Sequence, residues 1–267
     1  MAGMRPKVMG IVNVTPDSFS DGGRFLDPGL ALAHAQRLIA EGADILDIGG
    51  ESTRPGAEPV AEADELARVI PLIEALAAES AVPLSIDTLK PAVARAAIAA
   101  GATMWNDVSG LTASPDSLTV AAELGCEVVL MHMLGEPRTM QNDPRYTDVV
   151  AEVSAWLAAR AEAAMAAGVA REKIWLDPGI GFGKTLAHNL ALLRGLDELV
   201  ALGFPVLLGA SRKRFIAAID PSAKDVADRL GGSLAVAMIG ARAGVAAVRV
   251  HDVKETLQAL KVQAAVG

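Results

Sequence analysis

The sequence predicts an α/β chain closed into a (β/α)8 (TIM) barrel, with its active site at the C-terminal ends of the strands. Three observations carry that expectation. Eight short apolar runs recur along the 267 residues, each followed by turn residues and an Ala-rich stretch of helical periodicity. The runs are near-continuous rather than alternating, as strands buried on both faces of a parallel sheet must be. At or just past the end of each stands a polar residue: Asn13, Asp47, Asp87, Asn106, His132, Asp177, Ser211 and His251. Right-handed βαβ connections leave two arrangements, an open doubly wound sheet or a closed barrel. The open sheet would spread these residues along an edge, whereas a barrel gathers them on one face. Turn capping accounts for any one of them; all eight together favour convergence.

Taken in order, Val8–Val14 is the first strand, and the helix from Leu30 to Glu41 stops at Gly42, a C-cap signal. Asp44–Ile48 follows, and then Leu66, Val69, Ile73 and Leu76 repeat at helical spacing within Val60–Glu79. Leu84–Ile86, Met104–Val108 and Glu127–Met131 are the next three strands. Val149, Val153, Trp156 and Arg160 trace a long helix that stops near Gly168. Ile174–Leu176, Val206–Leu208 and Ala246–Val250 complete the alternation. Neither a linker nor a break in composition divides the chain, so residues 1–267 are expected to form a single domain.

Composition narrows the function classes. A chain that is 52% hydrophobic is not disordered. Its net charge of −8 provides no general attraction for a phosphate backbone, so no nucleic-acid partner is expected. The lone Cys126 excludes an internal disulfide framework and fits a reducing, cytoplasmic setting. No apolar run approaches the roughly 18 residues of a membrane span, and no signal peptide is expected at the N-terminus.

The loops after the strands carry the chemistry. Asn13–Gly23 is long for a βα connection; Pro16, Gly22 and Gly23 are turn residues, and Asp17 and Asp21 flank Phe19. Gly49–Gly56 combines glycines and hydroxyls with Arg54, a fork for an oxyanion or for Asp17 or Asp21. In Asp177–Thr185, Gly183-Lys184-Thr185 imitates a phosphate loop, but Pro178 stands where that motif needs Gly, which excludes an ATP site. The Gly-x-Gly-x-Gly stretch is instead expected to be flexible and to present Phe182. After the seventh and eighth runs, Arg212, Lys213, Arg214, Arg249 and His251 cluster in an otherwise acidic chain, which points to an anionic substrate. Asp87, Asn106 and Asp177 offer acceptors and an amide to a ring rich in amino, N–H and carbonyl groups. Of the four histidines, His132 and His251 stand at strand ends, and two histidines with no cysteine cluster disfavour tetrahedral zinc. Mg²⁺ held mainly by substrate phosphate and water needs only one or two protein oxygens, and Asn13 offers one.

In order, the blocks Asn13–Gly23, Asp47–Gly56, Ser85–Thr88, Asn106–Gly110, Met131–Met133 with Thr139–Gln141, Asp177–Lys184, Ser211–Lys213 and Arg249–His251 resemble the bacterial dihydropteroate synthases. The resemblance runs from about residue 8 to the last helix. It implies a transferase of folate biosynthesis that joins 6-hydroxymethyl-7,8-dihydropterin pyrophosphate to para-aminobenzoate by a dissociative substitution. It places the pterin at Asp87, Asn106, Asp177 and Lys213, with catalysis resting on Asp87, Asp177, Lys213 and Arg249. Pyrophosphate falls to Asn13, Arg249 and His251, with Asn13 binding it through Mg²⁺. Para-aminobenzoate falls to Phe19, Thr53, Pro55, Phe182, Ser211 and Lys213, and Asp17, Asp21 and Arg54 order the first two loops. A homodimer and sulfonamide sensitivity are implied as well. Many members carry Ser after the lysine where this chain has Arg214, which removes a side-chain hydroxyl but leaves a backbone N–H for the aminobenzoate carboxylate. Two rivals share the scaffold. A methyltetrahydrofolate methyltransferase needs neither a pyrophosphate site nor mobile aminobenzoate loops, and a non-catalytic pterin carrier would bind without turnover.

Overall fold

In the computed structural model the described residues are 5–15, 28–52, 58–135 and 139–266. Strand and helix alternate through β1 (Lys7–Asn13), α1 (Pro28–Glu41), β2 (Ile45–Gly49), α2 (Glu62–Glu79), β3 (Leu84–Asp87), α3 (Pro91–Ala99), β4 (Met104–Asp107), α4 (Ser117–Leu124) and β5 (Glu127–Met131). They continue through α5 (Val149–Ala166), β6 (Ile174–Asp177), α6 (Leu186–Arg194), α7 (Leu196–Val200), β7 (Leu207–Leu208), α8 (Arg214–Ile219), α9 (Leu230–Ala243), β8 (Ala247–Val250) and α10 (Val253–Val266). The eight strands form one sheet in the order β6-β5-β4-β3-β2-β1-β8-β7, with every pairing parallel. Its two ends meet through a parallel bridge between Leu176 and Val206, where the Leu176 N–H donates to the Pro205 carbonyl at 2.9 Å. That contact closes the barrel as expected.

Alternation along each strand divides the core into two layers. Met9, Ile45, Met104, Val129, Trp175, Leu207 and Ala247 fill the barrel from seven strands. The opposite faces pack outward on the helices, with Val12, Leu46, Ile48, Ile86, Trp105, Leu130 and Val248 among the buried side chains. At the N-terminal end of the strands, the Lys7 ammonium lies 5.7 Å from the centroid of the Trp175 ring, and Trp175 Nε1–H donates to Glu127 at 3.2 Å. With that end closed, the open mouth lies where the strands finish.

The helices largely obey their periodicities. In α5, Val149, Val153 and Leu157 are buried, and Asp148 caps the start by accepting from the N–H groups of Val150 and Ala151 at 3.1 Å. In α2 the buried stripe is Glu65, Val69, Leu72, Ile73 and Leu76, so a carboxylate occupies the place the apolar pattern assigned to Leu66. Glu65 is tolerated there because the Lys90 ammonium meets it at 2.6 Å and also bonds Glu51 at the root of the loop after β2. The Arg68 guanidinium holds the Gly50 carbonyl at 2.8 Å. Two helices therefore anchor the base of that loop.

Candidate active site

Four strands bring together an ionic knot in the barrel mouth. Arg249, from β8, donates through Nε to Asp47 Oδ2 and through a terminal nitrogen to Asp87 Oδ2 at 2.8 Å. The Asn106 amide donates to the same Asp47 oxygen at 3.1 Å. Asp47 is fully buried, and Asp87 and Asn106 nearly so. Burial pushes the Asp87 carboxyl up to about 7, with Arg249 opposing and the Asp47, Glu65 and Asp107 charges adding to the rise. Against its own desolvation, the charges of Asp47, Asp87 and Asp177 and the hydrogen bond to Asp47 raise Arg249 above its ordinary value. Gly49 has no side chain where a Cβ would stand 3.6 Å from Asp87 Oδ2 and 3.8 Å from Asn13 Oδ1, so Asn13 and Asp87 border one gap.

Across the mouth, Asp177 ends β6 and accepts the Gly179 N–H at 2.7 Å. Its carboxyl is raised by burial against the pull of Lys213, the Gly179 N–H, Arg249 and Lys184. Lys213 precedes α8, donates to the Ile180 carbonyl and places its ammonium 4.5 Å from the centroid of the Phe182 ring. Burial draws that ammonium down to about 8, while the Asp177 and Asp87 charges hold it up. Asp87, Asn106, Asp177, Lys213, Phe182 and Arg249 thus converge as the sequence led one to expect.

The loop that presents Phe182 departs from expectation, because it is packed rather than flexible. Gly179 and Gly183 hold positive φ values of 65° and 62°. A Cβ on Gly179 would lie 1.9 Å from the His132 carbonyl oxygen, and one on Gly183 2.6 Å from that of Leu134. The loop is pressed onto the segment after β5, and only glycine permits that approach. Lys184 fastens the two segments: its buried ammonium donates to the Phe182 carbonyl at 2.9 Å and the His132 carbonyl at 3.3 Å, and lies 2.9 Å from His132 Nδ1. The ammonium is thus turned inward on these acceptors.

His132 stacks edge-on against Trp156 with ring centroids 5.0 Å apart. Burial foremost, then the Lys184 charge, lowers its pKa to about 3. An unfolded chain takes up that proton near pH 6.5, so the stability contributed by neutral His132 is complete above that pH and is lost as pH falls toward 3. The thermal midpoint is expected to drop between pH 7 and 4, and His132→Gln, which keeps an acceptor for Lys184, to flatten that drop. An unchanged slope in the variant would remove His132 as the cause.

At the ends of β7 and β8, Ser211 Oγ lies 3.0 Å from His251 Nδ1. The cationic cluster read from the sequence separates here into two groups. Arg212 forks onto Asp252, its N–H donates to Ser233 Oγ at 2.8 Å, and its carbonyl accepts from Arg229 at 3.0 Å. This web holds Arg212 at a φ of 58°, in the left-handed region, immediately before Lys213. Arg212 is a brace that aims Lys213, and Arg214 is exposed. Lys213, Arg249 and His251 are left as the groups of that cluster in the mouth.

Phe19, Asp17, Asp21, Thr53, Arg54 and Pro55 lie outside the described residues. Among those described, no group of three or more His, Cys, Asp or Glu is placed to hold a metal ion. A hard cation shared with substrate oxygens needs fewer ligands, and Asn13, half-buried beside the Gly49 gap, fits that role. Two contributors were missed in the sequence. Asp47 stands among the strand-end acids with no role assigned from the sequence, and Lys184 enters there only through a rejected phosphate-loop motif and as the last residue of the Asp177–Lys184 block. Asp87 and Arg249, assigned to pterin and to pyrophosphate, form a direct ion pair. No spacing along the chain signals it, because they are far apart in sequence and meet only when the barrel closes.

A (β/α)8 barrel whose mouth sets three buried hydrogen-bonding side chains beside Lys213 and Arg249 defines an enzyme for a polar ring carrying an anionic group. Comparison with known proteins narrows that class. Residues 9–251 match the family described as pterin binding enzyme. The dihydropteroate synthase of Escherichia coli (strain K12) is 49% identical over 260 residues, covering 96% of this chain and 90% of that protein. Xanthomonas albilineans dihydropteroate synthase with 4-aminobenzoic acid superposes with a TM-score of 0.92 at 52% identity, over 98% of this chain and 93% of that one. The same enzyme in complex with 7,8-dihydropteroate gives 0.89 at 50% identity, over 98% and 94%. The chain belongs to the pterin binding enzymes and, within them, to the dihydropteroate synthases.

Proposed function

We propose that this chain condenses 6-hydroxymethyl-7,8-dihydropterin pyrophosphate with para-aminobenzoate, releasing 7,8-dihydropteroate and pyrophosphate, a step of folate biosynthesis. The observation that carries the reading is the juxtaposition of Asp87, Asn106 and Asp177 with Lys213 and Arg249 in one barrel mouth. A pterin presents amino, N–H and carbonyl groups at its edges, and the two carboxyls and the amide supply matching acceptors and donors. Relatives about half identical to it, and structures of a relative with 4-aminobenzoic acid and with 7,8-dihydropteroate, support the same substrates.

The chain's own groups divide the work. Arg249 and His251 bind the diphosphate and stabilise the charge that gathers on it as the methylene C–O bond breaks. Asp177, with Asp87, faces the positive charge left on the pterin methylene. The ring of Phe182 and the stem of Lys213 form a wall for the second substrate, with Ser211 near its carboxylate and Phe19, Thr53 and Pro55 completing that side. Asp17, Asp21 and Arg54 order the two loops. The amine nitrogen then bonds the methylene carbon and gives up a proton, and no side chain acts as a nucleophile. Asn13 would hold Mg²⁺ against the diphosphate, where the ion would supply further neutralisation of the leaving group.

The reading extends to a cytoplasmic homodimer and to sulfonamides as inhibitors. The buried free Cys126 suits a reducing compartment, and no helix among the described residues is long and apolar enough to cross a membrane. A coupled assay should detect pyrophosphate release only with both substrates present; release that ignores para-aminobenzoate would refute the assignment. Calorimetry should show para-aminobenzoate binding well only after pyrophosphate or the pterin substrate is bound. Equal affinity for the empty enzyme would refute that order.

A further inference from the structure

We propose that Asp47 is the pivot of the anion site, a positioning residue that retains Arg249 by its Nε while the far end of the guanidinium exchanges Asp87 for the diphosphate. The inference rests on the function proposed above and adds a residue to which that reading gives no role. Three observations carry it. Asp47 Oδ2 accepts from both Arg249 Nε and the Asn106 amide, so one buried oxygen sets the angle between a group assigned to diphosphate and a group assigned to pterin. The carboxylate is fully buried in β2, two residues before the strand ends at Gly49, where it reaches Arg249 and Asn106 and is closed to solvent. One terminal nitrogen of Arg249, Nη2, is meanwhile spent on Asp87, itself assigned to pterin.

The two halves of the site therefore satisfy each other through the Arg249–Asp87 ion pair. A pterin that donates to Asp87 competes for the oxygen Arg249 holds, and a diphosphate compensates the guanidinium for the loss. Each event favours the other, and the coupling must be reciprocal. The exchange is orderly only if the guanidinium cannot leave the mouth, and a buried carboxylate on Nε provides that restraint. Its other oxygen, Asp47 Oδ1, is buried without a hydrogen-bond partner among the described residues. The charge of Asp47 is thus compensated chiefly by Arg249, which makes the Nε contact the costly one to break and the Asp87 contact the exchangeable one.

The test uses the wild-type protein and one variant. In a crystal structure of the wild type with inorganic pyrophosphate, Arg249 Nε is expected to remain on Asp47 while the terminal nitrogen leaves Asp87 for a phosphate oxygen. A guanidinium that abandons Asp47, or keeps Asp87, overturns the pivot while leaving the pyrophosphate reading intact. Failure of the wild type to bind pyrophosphate at all overturns both. In Asp47→Asn, calorimetry should show pyrophosphate Kd raised about tenfold or more at unchanged stoichiometry, as loss of a hydrogen bond between charged groups implies. A merely structural role would lower the stoichiometry and leave Kd unaltered, and that result overturns the proposal. Should the variant not fold, the wild-type structure decides alone.

Discussion

Lys213→Ala is expected to lower turnover by roughly 10²–10³-fold or more while the barrel stays folded, since a charged group aimed at the transition state typically contributes that much. The lysine side chain is only partly buried and packs on Phe182 rather than in the strand–helix core, so its removal opens no cavity between strands and helices. What disappears is the cation facing Asp177 and Asp87 and the donor to the Ile180 carbonyl. Steady-state kinetics with a circular-dichroism melt separates the outcomes. Near-normal turnover in a folded variant would sink the role assigned to Lys213. The pH profile provides a second check. Because burial brings the ammonium down to about 8, activity that depends on its charge should fall as pH rises through that value. Lys213→Arg, charged throughout that range, should move the alkaline limb upward.

Gly179→Ala is expected to produce the largest stability loss of any single methyl addition near the site. The new Cβ would stand 1.9 Å from the His132 carbonyl oxygen, at a φ of 65° that alanine disfavours. The obstacle is backbone and cannot rotate aside, in contrast to a crowded side chain. Overpacking costs about 1–3 kcal/mol, and a non-glycine residue in the left-handed region adds a cost of order 1–3 kcal/mol. A combined loss of about 3 kcal/mol or more should appear in urea denaturation. A change under about 1 kcal/mol would mean that the two loop segments separate readily. The variant should also lose activity, because the same segment carries Asp177 two residues before Gly179 and Phe182 three residues after it.

How much of this could be read from the chain differs from group to group. Asp87, Asn106 and Asp177 were legible because each stands at the end of a short apolar run, where parallel strands place their functional side chains. Lys213 and Arg249 were legible as cations after strands seven and eight of an acidic chain. The role of Asp47 was not, because an inward-facing acid at a strand end reads the same whether it meets ligand or another residue. Arg212 and Lys213 are adjacent and chemically alike, yet Asp252, Ser233 and Arg229 turn the first into a brace and leave the second to the site. Glu65 shows the same limit within a helix. Its burial depends on Lys90, which arrives from the next βα unit and leaves no trace in the local apolar period.

Local pattern was sufficient for the alternation, the strand ends and the roster of residues that could bind a ring and a diphosphate. Periodicity of two or 3.6 residues and the chemistry of individual side chains are properties of short segments. Which of those residues pair with one another was settled only by closure of the barrel. Asp47, Asp87 and Arg249 come from strands two, three and eight, so their contact exists only once β1 joins β2 to β8 and the ring is complete. Pairing of β5 with β6 likewise presses Gly179 onto His132 and makes a glycine-rich stretch, expected to be flexible, into a packed wall. Side-chain chemistry is written residue by residue, whereas buried charge is compensated in space. The acidic barrel with cations after its seventh and eighth strands was therefore foreseeable from the chain, and the ion pair formed inside its mouth was not.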